Sequence, residues 1–81
     1  MNYKKIHELI LLVTRATETH HYGRAEKLFR QLLQEAFKSK NTYIIAEVSK
    51  AFIECRRRRA IEICEILKRI DPIQSQRKAQ S

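Results

Sequence analysis

Eighty-one residues, 43% of them hydrophobic, make one small globular domain at most, and folding at this length hides only roughly 60–65% of the unfolded chain's surface. One Gly and one Pro exclude a strand-and-turn fold, which consumes many turn residues. Seventeen Lys and Arg against nine Asp and Glu leave a net charge of +8, pointing to an anionic partner surface on nucleic acid or on an acidic protein.

Ile6, Leu9, Ile10, Val13 and Ala16 recur at the spacing of one helix face, which predicts a first helix over residues 2–19. Lys4 and Lys5 precede the apolar run Leu9 to Val13, but Glu8 interrupts the approach and the run ends after five residues. That is too short for the apolar core of a secretory signal. No segment approaches the roughly 20 apolar residues of a membrane span, so the cytosol is the expected compartment. Between Thr19 and Gly23 the pattern breaks, and Gly23 is the residue expected to take the left-handed conformation that ends helices.

A second stripe, Ala25, Leu28, Phe29, Leu32, Leu33 and Ala36, predicts a helix over residues 23–38, with Glu26 and Arg30 as an i,i+4 pair. The two helices make an αα-hairpin. A polar interruption follows from Ser39, in which Asn41 or Thr42 is suited to cap the next helix.

The third segment reads as one long helix from Thr42 to Ile70, stopped by Asp71-Pro72. Its apolar stripe does not run straight. Ile44, Val48, Ala51, Phe52 and Cys55 share one face, whereas Ile63, Cys64, Ile66, Leu67 and Ile70 centre about a quarter turn away. One hairpin cannot cover both faces, so a second subunit is expected on Ile63, Ile66, Leu67 and Ile70. The fold class predicted is all-α: an αα-hairpin followed by one long helix, three helices in a single domain over residues 1–71, forming a homo-oligomer. Residues 72–81 read as a disordered polar tail.

Arg56-Arg57-Arg58-Arg59 is the strongest local signal. Four guanidinium groups suit phosphates or a row of carboxylates. On an unbroken helix they spread over all sides. Glu54 and Glu62 lie four residues either side of Arg58, and each lies three residues from Arg57 or Arg59, so a solvated, partly ion-paired face is the competing reading. Arg56 alone has no such neighbour. His7, His20, His21, Cys55 and Cys64 lack the paired short spacings of a zinc site, and no metal or cofactor is expected. The two cysteines, nine residues apart on one helix, are separated by about 13 Å of rise, too far for a disulfide. They read as small buried groups in a reducing compartment. There is no Gly-rich phosphate loop and no nucleophile with a base at recognisable spacing, so no enzyme is expected. Asp71 reads as a chain-turning residue. Phe29 and Phe52 read as core, and Tyr22 and Tyr43 as wedges at the two turns.

The order Ala16, Glu18, Tyr22, Ala25, Leu28, Leu32, Ala36, Asn41, Phe52, Cys55, Arg56 resembles the ANR family, the AraC negative regulators of enteric pathogens, over about half the chain. The resemblance implies a small helical protein that binds an AraC-type activator, or a nucleoid-associated protein, and blocks productive promoter occupancy. Arg56, Arg57, Arg58 and Arg59 would then supply complementarity and association rate, and the apolar group Ile63, Ile66, Leu67 and Ile70 the contact itself. Two other readings stay open. One is a basic protein contacting DNA directly through the arginine run, although no helix-turn-helix pattern is evident. The other is a helical adaptor or assembly chaperone.

Overall fold

Periodic apolar faces become four helices in the computed structural model, which describes residues 3–72: α1 (Tyr3–Glu18), α2 (Tyr22–Ser39), α3 (Thr42–Arg56) and α4 (Ala60–Ile70). No strand occurs among the described residues. The tail expected beyond Pro72 falls on residues 73–81, outside them. Each helix packs on its neighbours in the chain, and α4 closes the ring against α1. Ile6, Ile10, Val13, Phe29, Leu32, Val48, Ile63 and Leu67 fill the centre, all at most 2% exposed.

The first two helices match the sequence reading to within a residue or so at each end. The single long helix does not form; it is two. Its chain breaks at Arg57–Arg59, where Arg58 takes a left-handed φ of 57°. The Arg58 N–H donates to the Cys55 carbonyl at 3.0 Å and the Arg59 N–H reaches back to the Glu54 carbonyl at 3.1 Å. These two bonds form a Schellman helix end, built here without glycine. Holding a non-glycine residue left-handed costs about 1–2 kcal/mol. Folding α4 back buries Ile63, Leu67 and Ile70, each at most 4% exposed, and each such burial stabilises by about 1.5–3 kcal/mol. Burial therefore outweighs local preference. Ile63, Leu67 and Ile70 of the rotated stripe are thus covered within the chain itself, where a second subunit was expected, while Cys64 and Ile66 stay half-buried.

The same device ends α1. His20 has φ 61°, with the His20 N–H donating to Thr17 and the His21 N–H to Ala16 at 3.0 and 2.8 Å. Gly23, expected to end that helix, instead sits in the first turn of α2, without positive φ and with open space where a Cβ would stand. Lys40 (φ 58°) ends α2. Asn41 caps α3 as its composition suggests, its side-chain oxygen accepting from the Ile44 N–H at 3.2 Å.

Polar pairs cross every seam of the ring. Lys5 reaches Glu35 (α1–α2, 3.2 Å), Arg56 reaches Glu26 (α2–α3, 3.6 Å) and Arg69 reaches Glu47 (α3–α4, 3.2 Å). Between α1 and the end of α4, His7 Nδ1 lies 2.8 Å from a carboxylate oxygen of Asp71. Asp71 is 1% exposed, so beyond turning the chain it anchors the end of α4. A buried carboxylate requires such a partner.

Candidate functional site

The α1–α2 and α3–α4 turns lie at the same end of the ring. Tyr22 ties them together: its hydroxyl donates to the Arg58 carbonyl at 3.4 Å, and its own carbonyl accepts from the Cys55 thiol at 3.9 Å. The Arg58 guanidinium lies 5.8 Å from the centre of the Tyr22 ring, and His20 Nδ1 lies 3.1 Å from the Tyr22 hydroxyl. Tyr22 thus wedges a turn as expected. Tyr43 does not: it is exposed on the surface of α3.

Around Tyr22 the four arginines fan out from a turn rather than around a helix, and each has a neighbour in its own chain. Arg57 pairs with Glu54 at 3.3 Å. Arg59 pairs with Glu54 at 3.4 Å and with Glu62 at 3.5 Å. Arg58 lies over Tyr22 rather than reaching either glutamate. Arg56, which has no acidic neighbour at helical spacing, pairs with Glu26 on α2 and lies 5.5 Å from the centre of the Phe52 ring. Phe52 in turn stacks on buried Phe29, centres 5.7 Å apart and planes within 7°. Arg56 is therefore the outermost layer of a stack that starts in the core. A cation over an aromatic face contributes about 0.5–1 kcal/mol when exposed, and an exposed ion pair about 0–1 kcal/mol. The turn is held by many small terms.

The apolar residues expected to meet a partner divide. Ile63, Leu67 and Ile70 lie in the core of their own chain, while Ile66 is half-buried beside exposed Ile53 of α3, in a depression between α3 and α4. Among the described residues Ile61 is the most exposed large aliphatic, at 71%. The arginines and Ile66 thus remain reachable and the other three do not.

Cys55 and Cys64 lie on different helices and are both free thiols. Burial pushes the Cys55 thiol above its ordinary value, reinforced by Glu26 and opposed by Arg58. Burial also raises Cys64, with a further contribution from Glu18. Both shifts keep the sulfurs protonated and weakly nucleophilic. Among the described residues no three His, Cys, Asp or Glu side chains are placed to hold a metal ion, and no helix is long and apolar enough to cross a membrane.

Two arginines that no run draws attention to, Arg15 on α1 and Arg24 on α2, both line a depression beside the α1–α2 turn. Sequence reading misses them because nine positions separate them and each is a single basic residue on a helix. No protein-family model, curated protein or solved structure matches the chain.

Proposed function

We propose that the chain is a small protein-binding regulator that antagonises an AraC-type transcriptional activator through protein–protein contacts, without using the arginine run to grip DNA. What carries the protein-binding part is the internal pairing of Arg56, Arg57 and Arg59 with Glu26, Glu54 and Glu62. Phosphates would have to displace carboxylates already in place, so the strongest sequence argument for direct DNA contact is largely consumed in building the turn. The identity of the partner rests on the resemblance of residues 16–56 to the AraC negative regulators. Ile53 and Ile66, which line the depression between α3 and α4, supply aliphatic contact surface, and the basic turn beside them supplies orientation and association rate.

Direct DNA binding is the second reading, favoured by the exposure of the run: the Arg56, Arg57 and Arg59 side chains are 51–66% exposed. Exposed ion pairs of this kind are weak enough to exchange. A pull-down of the tagged full chain from bacterial lysate, with and without nuclease, separates the two. Retention of an AraC-type activator or a nucleoid-associated protein after nuclease is the expected result. Loss of every partner on nuclease treatment refutes the protein-binding reading in favour of nucleic acid.

A further inference from the structure

We propose that the depression between α1 and the start of α2 is a docking site for an acidic, aliphatic-containing segment of a partner protein. Arg15 and Arg24 would pair its carboxylates, and Leu12 with Ala16 would receive its aliphatic side chain. The proposal rests on the protein-binding reading and names the part of the surface that meets the partner.

Its shape and lining favour that occupant. The depression encloses about 250 Å³ and is lined by Leu12, Arg15, Ala16, Thr19, His21 and Arg24. Its charged lining is basic only, and no carboxylate is among it. Arg15 and Arg24 make no ion pair with any described residue, unlike Arg30, Arg56, Arg57, Arg59 and Arg69. Two arginines without ion-pair partners, one from α1 and one from α2, lining one depression leave a positive potential that an anionic group relieves. Leu12 is 47% exposed, an apolar surface that a sugar-phosphate backbone would leave unsatisfied but a leucine-like side chain would cover. Arginine is enriched at protein–protein contacts, whose buried centres are apolar.

The rim is ordered before any partner arrives. The Thr19 hydroxyl donates to the Arg15 carbonyl at 2.9 Å and lies 2.7 Å from His21 Nδ1, fixing the imidazole at the edge. The first turn of α2 contains no acidic residue, so no carboxylate there offsets Arg24.

The test uses the isotope-labelled full chain, observed by amide chemical-shift mapping, with capped Glu-Leu-Glu-Leu-Glu as the probe. Controls are the Gln-Leu-Gln-Leu-Gln and Glu-Ser-Glu-Ser-Glu peptides and a duplex DNA. Saturable shifts centred on Leu12, Arg15, Thr19, His21 and Arg24 are expected with the first peptide. Affinity should fall about tenfold or more when either its charge or its leucines are removed, and again in the Arg15→Gln/Arg24→Gln variant. Both substitutions are at exposed positions, and the same spectra report whether the fold is retained. Absent or scattered shifts, equal binding by the double variant, or a preference of the depression for DNA would each overturn the proposal. The lysate pull-down keeps the two readings apart. A nuclease-resistant partner retained equally by wild type and double variant sinks the depression alone. Peptide binding at the depression without any nuclease-resistant partner sinks the regulator reading alone.

Discussion

Two groups of arginines lie at one end of this small bundle and differ in everything except charge. Arg56–Arg59 are contiguous, conspicuous in the sequence, and held by Glu26, Glu54, Glu62, Phe52 and Tyr22. Arg15 and Arg24 are separated in the chain and unpaired with any described carboxylate, and both line a depression together with Leu12 and Ala16. Density of charge along a sequence measures little about charge available to a partner. What matters is whether the fold has brought carboxylates to the same place, and at the α3–α4 turn it has.

The largest effect that breaks this contrast is on α4, because the pairing exists only if α4 folds back. Leu67→Asp places a carboxylate at a fully buried site and should cost more than about 4 kcal/mol, unfolding the chain in a denaturant titration. Ile61→Asp, on the outer side of the same helix, should stay within about 0.5 kcal/mol. Equal tolerance at both positions would mean that α4 does not pack as described.

Glu54→Gln sharpens the contrast by making the first group resemble the second. It removes the partner of Arg57 and one of the two partners of Arg59, and should lower stability by about 0.5–1 kcal/mol. At low salt it should raise non-specific DNA affinity, and the salt dependence should steepen by up to about two released counterions. An unchanged DNA titration would show that the glutamates do not restrain the run. Neutralising the two groups separately should also divide them. Arg56–Arg59→Gln loses about 1–2 kcal/mol as ion pairs and ring contacts go, whereas Arg15→Gln/Arg24→Gln stays within about 0.5 kcal/mol in the same melts.

Smaller effects test the turns. Lys40→Gly relieves a left-handed residue and should stabilise by up to about 1 kcal/mol, and Gly23→Ala should do the same by up to about 0.5–1 kcal/mol because its site is helical and open. If Gly23 were the left-handed residue, its replacement would destabilise instead. The thiols give the smallest signal. Both have folded pKa values above the ordinary 9.0, so the unfolded chain releases these protons first. Their contribution is complete at neutral pH and declines as pH rises past about 9. Denaturation at pH 7 and 9.5 should show a smaller alkaline loss in Cys55→Ala/Cys64→Ala than in wild type.

Helical class, the first two helices and a cap at Asn41 or Thr42 were legible because they rest on local periodicity and capping chemistry. The break at Arg58 was not, since helix ends are read from glycine and proline and this one has neither. The rotation of the apolar stripe beyond Arg59 was the trace it left, and it admitted two solutions: a second subunit or a reversal of the chain. The Arg57–Glu54 and Arg59–Glu62 pairs followed from spacing along a helix. Arg56–Glu26 and His7–Asp71 did not, because they join residues 30 and 64 positions apart. The Arg15–Arg24 depression was invisible for the same reason.

The reversal at Arg57–Arg59 is the feature on which the buried α4 and the paired arginines both depend, and a distance measures it directly. Spin labels at Thr42 and Lys68, in a chain whose cysteines are replaced by alanine, mark the start of α3 and the far part of α4. If the chain turns back, the labels sit on neighbouring helices with axes about 8–10 Å apart, and a separation of roughly 10–25 Å including the label arms is expected. A single continuous helix would place them near 39 Å, from about 1.5 Å per residue, and a distribution centred there would contradict the account.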